Sequence, residues 1–290
     1  MSLRPRRSVL YMPAANTRAL EKARSLPADA LIFDLEDAVS PDAKDAARAN
    51  ACAAAQSGAY GKREIVIRAN ALGTPWGADD LKAIATSRAH AVLLPKVNGA
   101  ADIAAAFEVL DKAGAPASMA LWCMIETPVA ILRLEEIAAA GDRVACFVMG
   151  TNDLVKDLRA QFTPDQIAVL SFMSETILVA RAYGKVVLDG VYNDIQNIDG
   201  FKAQCRQGLA MGFDGKTLVH PSQVEPCNEV FAPSAQEVER ARKIIDGFKQ
   251  AKAEGKGVVT VDGRMVEALH VELAQRTLAL NDAIAELARG

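Results

Sequence analysis

The chain has 290 residues, 51% of them hydrophobic and 24% charged, an ordinary globular balance with enough apolar material for one large core. Its formal net charge of -3 gives no general attraction to nucleic acid or to an anionic membrane, so neither is expected as a partner and any anionic ligand must be held by local cations. Five cysteines, Cys52, Cys123, Cys146, Cys205 and Cys227, lack a C-x-x-C pair and read as free thiols, which argues against a disulfide framework.

The basic start Arg4-Pro5-Arg6-Arg7 is followed by an apolar run that stops at Asn16 and Arg18, too soon for a secretory signal. Uncharged stretches such as Ala113 to Ile125 fall well short of the roughly 20 residues that cross a bilayer. A cytoplasmic protein is therefore expected.

Along the chain, short apolar runs rich in Val, Ile and Leu alternate with stretches of helical spacing. The runs are Ser8 to Met12, Ala30 to Leu35, Glu64 to Arg68, Ala91 to Pro95, Ala120 to Glu126, Ala145 to Gly150, Lys185 to Asp189 and Gly215 to His220. They are short and nearly continuous, as buried parallel strands are. Between them, sets such as Ile103, Phe107, Leu110 and Ile131, Leu134, Ile137 recur at helical intervals that bury one face against a sheet. Eight βα units predict a closed (β/α)8 TIM barrel. An open doubly wound sheet would place a Gly-rich phosphate turn after its first strand, and Met12-Pro13-Ala14-Ala15-Asn16 is not one.

After the eighth unit, Ser234-Ala235-Gln236-Glu237 reads as a capping box opening a helix that could close the barrel. Ala251 to Gly257 reads as a polar linker, and Met265 to Leu287 as a final helix with Leu269, Leu273, Leu280 and Ile284 on one face. The expected partition is residues 1–250 for the barrel with its closing helix, and 251–290 for a linker and a C-terminal helical lid.

A barrel builds its site at the C-terminal ends of its strands, so the polar residues there are the candidates. Glu126 and Asp153, on successive strand ends, supply hard oxygen ligands that suit Mg²⁺. Only three histidines occur, which argues against a zinc hydrolase. Arg68, on a nearby strand end, offers a fixed positive fork to charge developing on a substrate oxygen. Metal, arginine and further carboxylates together point to enolate, aldol or Claisen chemistry.

Seven segments at these strand ends carry a family resemblance: Arg7-Ser8-Val9-Leu10-Tyr11-Met12-Pro13, Phe33-Asp34-Leu35-Glu36-Asp37-Ala38-Val39, Ile67-Arg68-Ala69-Asn70, Leu94-Pro95-Lys96-Val97, Met124-Ile125-Glu126-Thr127-Pro128, Gly150-Thr151-Asn152-Asp153-Leu154 and His220-Pro221-Ser222-Gln223. In this order the sequence resembles the citrate lyase β-subunit and malyl-CoA lyase family, of the HpcH/HpaI aldolase type. The resemblance implies Mg²⁺ on Glu126 and Asp153, Arg68 on a thioester or keto-acid oxygen, and Glu36 and Asp37 holding metal-bound water or a proton. It also implies an acyl-CoA substrate with Arg7, Arg18 and Lys22 as candidates for its phosphates and Lys96 near the pocket mouth. A homotrimer or hexamer is the implied assembly.

Competing readings attach to several of these residues. Glu126 and Asp153 could cap the helices that follow them, and Arg68 could pair with a neighbouring acid. On an extended strand end Glu36 and Asp37 point apart, so one of them is expected to be structural, with Asp37 favoured for the site. Lys96 could be a Schiff-base lysine, and Arg18 and Lys22, one turn apart, could be a solvated face.

The family function implied is a carbon–carbon lyase for malyl-, citramalyl- or citryl-CoA, releasing acetyl-CoA and a keto acid. The alternatives are a thioesterase on the same substrates or a subunit working on a carrier-protein thioester inside a complex. In the tail, Asp262-Gly263-Arg264-Met265-Val266-Glu267 aligns with a family segment that ends in a proton-transferring aspartate, often supplied by a neighbouring subunit. Glu267 stands in its place.

Overall fold

The fold is seen in a computed structural model that describes residues 3–289. Those residues form two compact units: Arg6–Phe231, and the chain from Ala232 onward together with the residues before Arg6. In the first unit the order is β1 (Ser8–Pro13), α1 (Thr17–Ala23), β2 (Ala30–Asp34), α2 (Lys44–Gln56), β3 (Glu64–Arg68), α3 (Gly77–Ala85), β4 (Ala91–Leu94), α4 (Ala100–Lys112) and β5 (Ala120–Ile125). It continues through α5 (Pro128–Leu132), α6 (Leu134–Ala138), β6 (Val144–Met149), α7 (Thr151–Asp157), α8 (Leu170–Ala182), β7 (Val186–Asp189), α9 (Ile198–Met211), β8 (Gly215–Leu218) and α10 (Val224–Phe231). The eight strands pair in parallel, and β8 closes onto β1, so the expected (β/α)8 barrel is present.

Because strand side chains alternate, the apolar runs divide into two cores. Val9, Ile32, Val66, Leu93, Trp122, Cys146, Val148 and Leu188 fill the barrel interior. Leu10, Leu31, Phe33, Ile67, Leu121, Phe147 and Leu218 face the surrounding helices. At the N-terminal end of the barrel Arg6 closes the interior, its guanidinium 5.2 Å from the Trp122 ring centroid and forked onto Glu64 at 2.6 and 2.9 Å. The same alternation aims Tyr11, Asp34, Arg68 and Glu126 inward at the opposite end, each two residues beyond an interior core residue.

That rule also reassigns Asp189, one of the polar strand-end residues. It follows outward-facing Val187 by two, and its carboxylate accepts a 2.5 Å bond from Lys216 between β7, β8 and α9, with both side chains fully buried. The spacing of Ile131, Leu134 and Ile137 belongs to two short helices, α5 and α6, which meet at Arg133. All five cysteines are free, and four are buried.

The second unit differs from the sequence reading. The capping box is present, with Ser234 Oγ accepting from the Glu237 N–H, but the helix it opens, α11 (Ala235–Ala253), belongs to the C-terminal unit. The boundary thus falls between Phe231 and Ala232, earlier than residue 250. The segment after α11 is a hairpin of β9 (Val259–Val261) and β10 (Arg264–Val266), turned by Asp262 and Gly263 at φ 48° and 74°. Positive φ at both central residues is the type I′ hairpin turn, which Asp-Gly accommodates. Helix α12 therefore starts at Ala268 and runs to Leu287; Leu269 and Leu273 on it are exposed. Among the described residues, no helix is long and apolar enough to cross a membrane.

The Asp189–Lys216 pair gives a stability test. Asp189→Ala leaves a buried ammonium unpaired, and the expected loss is about 3–5 kcal/mol, measured by urea unfolding. Loss of less than about 1 kcal/mol would mean that water reaches Lys216.

Candidate active site

The inward residues at the C-terminal end of the barrel surround a cavity of about 340 Å³ lined by Tyr11, Asp34, Arg68, Glu126, Asp153 and Asn193, among others. Asp34 and Arg68 are neighbours in the β2–β3 register, and that pairing sets the site. Arg68 Nε and Nη2 each donate to Asp34 at 2.7 Å, a bidentate fork, while Nη1 lies 2.8 Å from Glu36 and 3.3 Å from Asp37. The guanidinium sits 4.9 Å from the Tyr11 ring centroid. These carboxylates hold Arg68 charged well above its ordinary pKa, although burial works the other way.

Asp34, the last residue of β2, also shapes the chain that follows it. Beyond holding Arg68 it accepts from the N–H groups of Glu36 (2.9 Å) and Ala38 (3.2 Å), folding the chain into a turn at the strand end. This turn corrects the expectation that Glu36 and Asp37 point apart, because the chain is no longer extended there and both reach Arg68. Lys44 locks the turn from behind, donating at 2.7 Å to the carbonyls of Leu35 and Glu36 and to Asn70. Of the two acids Glu36 is the enclosed one, with a side chain 14% exposed against 72% for Asp37. Burial raises the Glu36 carboxyl to about 8; Arg68 opposes this, and the charges of Asp37, Glu126 and Asp34 add to it.

Glu126 and Asp153 converge on one cation. The Lys96 ammonium lies 3.4 Å from Glu126 and 2.9 Å from Asp153, and the Lys96 N–H donates to Glu126 at 2.7 Å. To make that bond Lys96 takes φ 52°, a left-handed backbone uncommon for a residue with a side chain. Gly150 leaves the space Glu126 needs, since a Cβ there would meet the Glu126 Cβ and lie 2.7 Å from its Oε2. Burial raises the Glu126 carboxyl above the usual range, against the lowering by Lys96. Lys96 is itself raised; burial works against its charge, but the Asp153 hydrogen bond and the nearby carboxylates outweigh it. A protonated lysine is not a Schiff-base nucleophile.

The capping reading of Glu126 does not hold, because Thr127 Oγ1 accepts the Ala130 N–H at the start of α5. Two hard carboxylates already arranged around a positive charge form a donor set that fits Mg²⁺, which leaves its other positions to water and substrate oxygens. Among the described residues no cluster of three or more His, Cys, Asp or Glu side chains forms a fuller cage.

The basic residues separate. Arg7 precedes β1, at the N-terminal end of the barrel, and forks onto Asp29 at 2.8 and 2.9 Å, so it is a structural cation away from the site and not a CoA-phosphate contact. Arg18 and Lys22 are exposed on α1. His220 Nδ1 accepts from the Ser222 N–H and holds its own loop. Glu267 belongs to the second unit, where its N–H donates to His270 Nδ1 at the start of α12.

These features define a metal-competent TIM-barrel site with an arginine and a protonable carboxyl beside it. The chain belongs to the HpcH/HpaI aldolase/citrate lyase family, whose sequence pattern matches residues 7–221. It is 46% identical over 281 residues to a (3S)-malyl-CoA thioesterase of Cereibacter sphaeroides, covering 97% of this chain and 96% of the relative. To the citrate lyase subunit beta of Escherichia coli it is 36% identical over 281 residues, covering 95% and 93%. Among solved structures, protein CitE of Mycobacterium tuberculosis, in complex with magnesium, acetoacetate and coenzyme A, superposes with a TM-score of 0.78 at 28% identity, covering 97% of this chain and 100% of that one. A citrate lyase beta subunit from M. tuberculosis, complexed with oxaloacetate and magnesium, gives a TM-score of 0.69 at 31% identity, covering 80% and 100%.

Glu36 makes stability depend on pH. Its folded-state carboxyl titrates near 8 and its ordinary value is 4.5, so between those values the folded chain binds the extra proton. In metal-free protein this contribution should be fully present below about 4.5 and be lost as pH rises through 8, and Glu36→Gln should flatten that slope. Urea midpoints from pH 5 to 9 measure it; identical profiles for the two proteins would mean Glu36 stays ionised.

Proposed function

We propose that this protein is a magnesium-dependent acyl-CoA enzyme that hydrolyses the thioester of a short 3-hydroxy dicarboxylic acid of the malyl type. The observation that carries the reading is the single cation position between Glu126 and Asp153, beside Arg68 and the protonable Glu36. The high identity to (3S)-malyl-CoA thioesterases along nearly the whole chain favours hydrolysis as the net reaction.

Mg²⁺, held by Glu126 and Asp153, supplies Lewis-acid polarisation of substrate oxygens when bound. Arg68 is fixed by Asp34, so its charge already faces the cavity before substrate arrives, and no reorganisation is needed as negative charge develops on the thioester oxygen. Water adds to the thioester carbonyl, the C–S bond breaks, and the departing sulfur takes a proton. Glu36, whose carboxyl burial pushes up to about 8 in the metal-free site, would supply that proton and recover it, with the more exposed Asp37 beside it. A divalent ion held by Glu126 and Asp153 would replace the Lys96 ammonium as their counter-charge, and Lys96 would then be free to join Arg18 and Lys22 as a cation for the phosphates of CoA. Glu267 completes the reading as a proton-transfer group of a C-terminal lid in an assembly of three or six copies. The glutamate reaches one methylene further than the family aspartate, which matters where an error near 1 Å costs about 10²-fold.

Carbon–carbon cleavage is the second reading. Glu36 against Arg68 is a protonable carboxyl beside a fixed cation, the pairing that making and quenching an enolate requires, and the identity to a citrate lyase beta subunit accords with it.

Product analysis with malyl-CoA and Mg²⁺ separates the two. Hydrolysis yields free CoA and malate, and cleavage yields acetyl-CoA and glyoxylate. We expect the first, abolished by chelator and by Glu126→Gln. Full turnover by chelated protein would remove the metal from the reaction.

A second expectation concerns Arg68→Lys, in which an ammonium cannot reproduce the fork to Asp34. The turnover number should fall by about 10²-fold or more, as for loss of one oxyanion donor. A kcat within a few-fold of the parent would place oxyanion stabilisation elsewhere.

A further inference from the structure

Gln223 closes the turn His220-Pro221-Ser222-Gln223 and takes no part in the proposed chemistry. It is fully buried beneath the C-terminal ends of β7 and β8. Its Oε1 accepts from the N–H groups of Val219 (3.1 Å) and His220 (3.3 Å), and its Nε2 donates to the Tyr192 carbonyl at 2.9 Å. One amide head therefore spaces the segment after β8 from the segment after β7. The bonds fix its orientation, since only the nitrogen can donate and only the oxygen can accept.

The two segments so joined each present a valine to the cavity, Val191 and Val219. Tyr192, between Val191 and Asn193, turns the other way and packs against Phe201 of α9, ring centroids 5.9 Å apart. Its neighbours Val191 and Asn193 both line the cavity. Asn193 is further clasped to Asn152 by two side-chain hydrogen bonds of 2.9 and 3.3 Å. The rest of the lining mixes Asp34, Asp37, Glu126 and Arg68 with Met124 and Met149, and a carbon substituent set against the charged groups would cost their solvation. Valine is branched at Cβ and stiff at χ1, which makes this side a rigid gauge.

We propose that Val191 and Val219 form an apolar jaw that sets the size of the carbon substituent accepted on the acyl group, with Gln223 as the positioning residue that fixes its opening. The inference rests on the acyl-CoA reading above. It assigns the choice between a malyl-type substrate and its methyl-substituted homologue to two apolar side chains that share the cavity with the metal carboxylates. One methylene in such a pocket is worth about 10- to 200-fold in discrimination.

The test is the ratio of kcat/KM for citramalyl-CoA to that for malyl-CoA, with Mg²⁺ saturating. Val191→Ala and Val219→Ala should each raise the ratio by about tenfold, and Val219→Ile should lower it. Gln223→Met should raise it and speed deuterium exchange of residues 190–194, whereas a merely structural role would lower the active fraction equally for both substrates. Unchanged ratios in all four variants overturn the proposal. If the parent protein turns over neither thioester, the acyl-CoA reading fails on its own. The jaw is then judged by calorimetric binding of malate against citramalate, where Val219→Ala must favour citramalate and equal or absent binding overturns it.

Discussion

A charge can be buried only where an opposite charge meets it in good geometry, and at this barrel mouth the Asp34–Arg68 fork satisfies that condition. Each side chain stands on its own strand, in register across β2 and β3, so the pair links the two strands at the level where the apolar interior ends. Asp34 spends its remaining acceptor capacity on the Glu36 and Ala38 N–H groups, and the turn so formed carries Glu36 and Asp37 round to the same guanidinium. Glu36 owes its raised proton affinity first to its enclosure and then to the three other acids nearby, which together outweigh the opposing charge of Arg68. Fixing Arg68 and making Glu36 protonable are thus one event.

The eight strands and their parallel closure were legible in the sequence because a buried parallel strand leaves an unambiguous trace: a short run of branched apolar residues bounded by polar ones. The same trace placed Glu126, Asp153 and Arg68 at the correct end of the barrel. Arg7 lies in a shared motif, but a motif does not tell which end of a strand its first residue occupies, and Arg7 precedes β1 on the side of Asp29. Glu36 and Asp37 were treated as extended strand, and only the side-chain bonds of Asp34, which no periodicity reports, bend the chain there. The β9–β10 hairpin had a usable signal in Asp262-Gly263 between β-branched runs. The boundary near residue 231 had none, because α11 carries an apolar face whichever unit it packs against.

The cavity has two unlike sides. The ends of β2, β3, β5 and β6 bring the charged side chains, with Met124 and Met149 among them, and those of β7 and β8 bring Val191, Thr217 and Val219. Polarity of this kind orients a small acyl group before any bond changes, with oxygens toward the cations and carbon toward the valines. Thioester hydrolysis and carbon–carbon cleavage both need that orientation, which accounts for one barrel mouth serving relatives named for either reaction.

Lys96 gives the site a life before its metal arrives. With the ammonium between Glu126 and Asp153, two carboxylates that would repel each other across a buried mouth are neutralised by the chain itself. Zinc fingers, by contrast, stay unfolded until their ion binds. With Mg²⁺ on these two carboxylates as proposed, loading would exchange one cation for another in a finished barrel, so scarcity of the ion would leave an intact apoprotein ready for reactivation instead of an unfolded chain exposed to proteolysis.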